Sequence, residues 1–349
     1  MAGGSNDRIY IRKTSAMTAE VEAFADDWTN LADERLGAVT VAVSDEFYAP
    51  AQRLLEARGA NYYFHDEEGM RYVDGWETTR RRRQGHEFCV VRLGRAGRIT
   101  GVVFDTSYFT GNFPVGVELA GCCVQGDPDA STAWTPLVGF TPLAGDAQRL
   151  VTVQDGAVYT HVRLNLHPDG GMARLRVYGA VDASRAPGLL DESLPDLAAL
   201  ENGGRIVGCN DRHFGSVAAL IAPGPSVAWG KGWETRRRRE PGNDWAVIAL
   251  AVPGVIEEVD IDTHYYLANQ PDRFSLQAVR IAGPMADALL VNQSMYWPQL
   301  LDETALQGGS RINVTQDIAA LGPVTHVRLN IFPDGGVTRL RLRGRPVER

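Results

Sequence analysis

The segments GWETTRRRR (Gly75–Arg83) and GWETRRRR (Gly232–Arg239) each place a carboxylate beside a run of guanidinium groups. A guanidinium offers a fixed fork of N–H donors that matches a carboxylate through two parallel bonds, so paired arginines suit a small organic acid. A carboxyl or imidazole nearby could then give or take a proton from the held molecule. The alternative is structural, with the arginines ion-paired to Asp and Glu or stacked on Trp76 and Trp233. In an extended run Arg80 and Arg82 point one way and Arg81 and Arg83 the other, so only some can reach one ligand.

Other polar residues recur with the arginines. Asp105-Thr106 and Asn112 answer Asp262-Thr263 and Asn269, and HVRLNLHPDGGMARLRVYG (His161–Gly179) answers HVRLNIFPDGGVTRLRLRG (His326–Gly344), with thirteen of nineteen residues identical. On the strand that opens this last motif, a period of two puts Val162, Leu164 and Leu166 on one face and His161, Arg163 and Asn165 on the other. Arg163 and Arg328 also read as structural members of such a strand. No GxSxG or Cys–His arrangement points to a covalent nucleophile. No cofactor is assigned, and a divalent metal is the one cofactor left open: HExxH is absent, and a hard ion would find scattered Asp, Glu and His or the loose set His161, His167 and Asp169, whose His167 becomes Phe332 in the second copy.

These residues need elements to hold them, and the repeats supply two similar sets. The offset between copies is 157 at the arginine run and 165 at the HVRLN motif, so an insertion of eight residues is expected between Asp262 and His326. Upstream, SDEFYA (Ser44–Ala49) answers NDRHFG (Asn210–Gly215). One domain is written twice. Short β-branched or alternating runs between Gly, Pro and Asp predict strands near Phe88–Leu93, Arg98–Asp105, His161–Leu166 and Met172–Tyr178, with PDGG as a hairpin turn. The expected fold is all-β, two tandem β-sandwiches of the jelly-roll kind. Helical periodicity is confined to Ala16–Leu31, Ala49–Arg58 and Leu194–Leu200. The expected boundaries are an N-terminal extension over 1–36, a first repeat over 37–182, a linker over 183–196 and a second repeat over 197–349.

Composition narrows the partners. The 349 residues are 44% apolar and 22% charged, as in an ordinary globular chain, and the net charge of −8 argues against nucleic acid, which needs a positive field. The start, MAGGSNDRIYIRK, lacks the apolar stretch of a secretory signal, and no apolar run approaches a bilayer span, so a cytoplasmic location with no membrane partner is expected. Cys89, Cys122, Cys123 and Cys209 have no paired spacing and are expected to be reduced core residues.

Taken together, DGWETTRRRRQGHEFCVVRLG, FDTSYFTGN and THVRLNLHPDGGMARLRVYG resemble the repeat signatures of allantoicase. The likeness runs over nearly the whole chain. It implies tandem jelly rolls of the galactose-binding-like type, hydrolysis of allantoate to ureidoglycolate and urea, and a cytosolic homo-oligomer. Under that resemblance Arg80 or Arg82 would hold the substrate carboxylate, Glu77, His86 and His161 would do acid–base work, and Asp105 and Asn112 would bind the ureas. Arg163, Asn165, Glu234, Arg237, His326 and Arg328 complete the expected substrate-binding set. The chain departs from the family pattern at Thr79 and Tyr108 in the first copy and at Lys231, Asn243 and Tyr265 in the second. Loss of the histidine at Asn243 leads to the expectation that the second copy is the poorer acid–base site. A non-catalytic tandem binding small molecules or carbohydrate, and a hydrolase of a related ureido acid, are the competing readings.

Overall fold

Alternation along the HVRLN strands sets the architecture. Val162, Leu164 and Leu166 are fully buried, as are Val327, Leu329 and Ile331, so one side of each strand is core and the polar side is left outside it. The computed structural model describes residues 10–64, 74–225 and 232–347. The chain divides into two compact units, Met1–Ala180 and Val181–Arg349.

In the first unit a nineteen-residue strand, Glu87–Asp105, serves both layers of a jelly-roll sandwich. Its opening residues pair antiparallel with Val158–His167 and Val39–Val43, and its closing residues pair with Gln148–Thr152. Gly116–Cys122 and Thr135–Pro142 extend the first layer, and Arg174–Val181 joins the second. The strand turns its corner where the register jumps from Gly97 opposite Tyr159 to Arg92 opposite His161. Gly97 is required there, since a Cβ would lie 2.4 Å from the Ala180 carbonyl. The predicted strands at Phe88–Leu93 and Arg98–Asp105 are thus one bent strand.

The second unit repeats this plan around Asp244–Asp262, paired with Arg205–Cys209, Val324–Phe332, Arg311–Val314 and Arg339–Pro346. Leu119 pairs with Val138 and its counterpart Leu276 with Leu301, so the offset has already grown from 157 to 163 by that point. Six of the eight inserted residues therefore fall between Val279 and Gln299. They contribute to a helix, Asp287–Gln293, and a following 3-10 turn, Ser294–Tyr296. Leu290 and Trp297 pack on Val247, which lays this segment over the outer side of the sheet.

Of the three expected helical stretches, only the first contains an α-helix, Ala19–Asp27, capped by Thr18 and packed through Val21 on Val103 and Tyr178. The second is the 3-10 turn Ala51–Leu55. The third is not helical over Leu194–Ala199. There Asp196 pairs with Arg343, Leu197 N–H donates to Leu342 O, and the Leu197 carbonyl accepts from Ala251, so sheet hydrogen bonds claim the backbone a helix would use. Among the cysteines Cys89 and Cys122 are buried, but Cys123 is exposed, because neighbours leaving a strand face opposite ways.

Candidate active site

The recurring motifs meet at one end of each sandwich because the PDGG turn and the GWET segment are stitched together by their backbones. His167–Pro168 and Phe332–Pro333 are cis. Glu77 pairs with Gly171 and Trp76 with Met172, while Thr78 N–H donates to Gly170 O and Thr78 Oγ1 accepts from Gly170 N–H at 3.1 Å. Gly171 N–H in turn donates to Asn112 O at 2.7 Å. Gly171 must lack a side chain, since a Cβ would stand 2.0 Å from the Phe109 ring. Trp76 is wholly buried beneath, with its indole N–H donating to Asp45 O at 2.8 Å.

These bonds bring Glu77 and Asn112 together: Asn112 Nδ2 donates to Glu77 Oε1 at 2.8 Å. Burial pushes the Glu77 carboxyl above its ordinary range, and the Asn112 hydrogen bond only partly offsets it. Tyr48 N–H donates to Glu77 O at 3.3 Å, and the Tyr48 ring, 61% exposed, stands edge-on to Phe47.

The arginine run is sorted by its partners. Arg81 N–H donates to Asp169 Oδ2 at 2.7 Å and its guanidinium ion-pairs with Glu87, which also accepts from Ser44. Arg80 and Arg82 are exposed and pair with nothing among the described residues. Arg83, expected to share a face with Arg81, is exposed where Arg81 is not, because the extended segment ends in the turn at Gly85, whose φ is +113°.

The second unit reproduces this end of the sandwich. Glu234 pairs with Gly336, Asn269 Nδ2 donates to Glu234 Oε1 at 2.5 Å, and the Trp233 indole donates to Asp211 O at 2.8 Å. Arg238 is tied to Asp334 and Asp244, while Arg237 is exposed and unpaired among the described residues and Arg239 is exposed with its backbone N–H donating to Glu240. Phe214 N–H donates to Glu234 O at 3.2 Å, and its ring is 58% exposed. Thr79 and Arg236 differ in type but do one job: Thr79 binds Asp45 through its N–H and hydroxyl, and Arg236 binds Asp211 through its N–H and guanidinium. Lys231 lies outside the described residues.

The outer sheet face holds the remaining candidates, and here the units differ. In the first, Arg163 lies 4.1 Å above the Phe88 ring and donates to Asn165 Oδ1. His86 stacks near His167, with ring centroids 4.8 Å apart, and His167 Nε2 lies 2.8 Å from Glu118 Oε2. Burial and the neighbouring His167 lower the His86 pKa. In the second, Asn243, Phe332 and Ser275 take the places of His86, His167 and Glu118. Arg328 is buried against Trp245, donates to Asn330 and Ser294, and is lowered to about 10 by burial. The helical insertion encloses it, so Arg328 is spent on the chain's own groups.

Three other expected residues stand apart. His161 is 1% exposed and lies six positions before His167, roughly 20 Å along the strand. His161 Nδ1 meets Thr160 Oγ1 at 2.9 Å and Nε2 lies 3.8 Å from Asp127; burial lowers its pKa. The loose set with His167 and Asp169 is accordingly not assembled, and among the described residues no group of three or more such side chains could hold a metal ion. His326 repeats the Thr contact and is lowered to about 4 by burial. Asp105 is buried, and its carboxylate accepts from Ser107 N–H and Gln148 Nε2, so it builds the loop leading to Asn112. Sequence reasoning missed Tyr48 and Phe214; the recurrence of SDEFYA as NDRHFG was their signal.

The chain is built of two jelly-roll units, each with a carboxylate–amide pair at the same end of its sandwich. The allantoicase repeat model matches residues 29–182 and 195–347. "Probable allantoicase 2" of Burkholderia pseudomallei is 52% identical over 327 residues, covering 92% of this chain and 96% of the relative. "Probable allantoicase" of Pseudomonas aeruginosa is 46% identical over 335 residues, covering 95% and 99%. The crystal structure of allantoicase from Saccharomyces cerevisiae superposes with a TM-score of 0.74 at 27% identity, covering 95% of this chain and 99% of that one. The chain belongs to the allantoicase family. No described helix is long and apolar enough to cross a membrane.

Proposed function

We propose that this protein hydrolyses allantoate to ureidoglycolate and urea, and that the chemistry takes place at the Glu77–Asn112 end of the sandwich. The observation that carries this placement is a carboxyl raised by burial and held by one amide, on the same segment as Arg80 and Arg82, which are exposed and have no partner among the described residues. Allantoate is a carboxylate with two ureido groups on one carbon. Arg80 or Arg82 supplies the fork for the carboxylate, the free valences of Asn112 suit a ureido group, and the Tyr48 ring offers a face to its plane.

Burial shifts Glu77 toward its protonated form, the form a proton donor needs. Its carboxyl protonates the departing ureido nitrogen as that C–N bond breaks, helped by the lone pair of the other ureido nitrogen. The Glu77 carboxylate then takes a proton from the water that adds to the central carbon, which restores the acid and leaves ureidoglycolate and urea. One group gives and recovers the proton, so this route assigns no step to His86 or His161. A cytoplasmic location and a homo-oligomeric state belong to the same proposal and rest on the family resemblance.

The test is urea release from allantoate by the purified protein, compared with Glu77→Gln/Glu234→Gln. Urea from the wild type and a loss of a hundredfold or more in the double variant is the expected outcome, in line with general acid catalysis contributing about 10²–10⁴-fold. No urea from the folded wild type would overturn the reading.

A further inference from the structure

We infer that the chain carries two working sites, one at Glu77 and one at Glu234, each taking a small ureido carboxylate; the inference rests on the reading of the Glu77 site given above. Duplication supplies an internal comparison. Between the two units the outer sheet face has changed its chemistry: His86, His167 and Glu118 are replaced by Asn243, Phe332 and Ser275, and a helix covers the second face. The loop end has kept its geometry. Glu234 meets Asn269 as Glu77 meets Asn112, and the backbone of each acid accepts from an exposed aromatic residue.

What is kept there is not needed to fold the unit. Arg237 is exposed and contacts no carboxylate among the described residues, as with Arg80 and Arg82, and Arg239 is exposed with only its backbone N–H donating to Glu240, while Arg238 and Arg81 do the structural work. Exposed unpaired cations beside a carboxylate repel one another and gain nothing from packing. Their retention beside Glu234 is explained by a ligand that neutralises them. The same comparison removes the sheet-face histidines from the shared chemistry, because the second site lacks them.

The experiment measures kcat per chain and KM for Glu77→Gln, Glu234→Gln and the double variant. Each single variant is expected to keep about half the wild-type kcat at unchanged KM, the double variant to lose a hundredfold or more, and calorimetry of the double variant to find two allantoate molecules per chain. Full activity in Glu234→Gln, abolition by either single change, or one bound molecule per chain overturns the inference while leaving the assignment of the reaction intact. Should Glu234→Gln fail to fold, Arg237→Lys replaces it, since Arg237 is exposed and unpaired. Saturation should then become biphasic, half the activity keeping its KM and half showing a KM raised tenfold or more; a single wild-type KM overturns the inference equally. Absence of urea from the wild-type protein would instead defeat the reading beneath it.

Discussion

Asn112 and Glu77 stand 35 positions apart and meet through one hydrogen bond, and Asn269 and Glu234 meet across the same separation of 35. The bond restrains a carboxyl that burial has already raised above its ordinary value of 4.5. A carboxyl whose folded pKa exceeds its unfolded one opposes folding when ionised. The penalty is full above the folded value and absent below the unfolded one. Glu77→Gln should therefore raise Tm at about pH 8 and leave it unchanged near about pH 4. Thermal melts at both values check this; an equal gain at both would show that ionisation is not the cause.

The arginines should separate into two kinds. In Arg80→Lys/Arg237→Lys the ammonium cannot reproduce a fork, and losing one hydrogen bond to a charged group, about 1.5–3 kcal/mol, should raise KM roughly tenfold or more with Tm unaltered. Arg81→Lys should do the reverse, lowering Tm while KM stays put, because Arg81 serves Asp169 and Glu87. Parallel KM and Tm measurements decide the matter, and an unchanged KM in the first variant would sink the carboxylate assignment.

His86→Asn installs the residue that the second unit already has at Asn243. Since the proposed route uses only the Glu carboxyl, kcat and KM should both remain within about twofold of wild type. Abolition of activity would restore His86 to the chemistry and confine it to the first unit.

Asp74 and Arg174 form a buried ion pair, Nη2 to Oδ1 at 3.0 Å, and Arg58 bonds the same carboxylate. Burial alone would raise Asp74, but the bond from Arg58, the charge of Arg174 and the Asn61 N–H hold it below its ordinary 3.8. Breaking such a pair from one side costs about 3–5 kcal/mol, so Asp74→Asn should lower Tm sharply at neutral pH. A depressed carboxyl gives its stability above the unfolded value and loses it as pH falls through the folded one. The deficit of the variant should therefore be full above about pH 4 and shrink below it. A deficit independent of pH would point to lost packing.

Much of the fold is legible in the sequence, since a period of two and the turn residues act locally. Val162, Leu164 and Leu166 declare their face without reference to the rest of the chain. Leu194–Leu200 misleads for the opposite reason: its apolar spacing suits a helix, yet Leu197 is claimed by Leu342 and Ala251, which are distant in sequence. The candidate site is half legible. Alternation separates Arg81 from Arg80 and Arg82, but which of them finds an acid depends on Asp169 and Glu87, and Arg83 escapes the pattern at Gly85. The HVRLN histidines recur, but recurrence does not reveal burial: His161 is 1% exposed and His326 is half-buried, each against its neighbouring threonine.

The insertion between Val279 and Gln299 has a consequence for how the chain assembles itself. Val158–His167 and Val324–Phe332 are nearly the same strand, and tandem copies risk each annealing into the neighbour's sheet during folding. Arg328 requires Ser294 Oγ from the inserted segment as well as the Trp245 ring, whereas Arg163 sits on Phe88 with no such cover. A strand exchanged between units would bury a guanidinium without its hydroxyl partner in one and leave the helix facing the wrong residues in the other. The few added residues are thus expected to act as a key between two almost identical strands, and Ser294→Ala should increase the misfolded fraction on refolding.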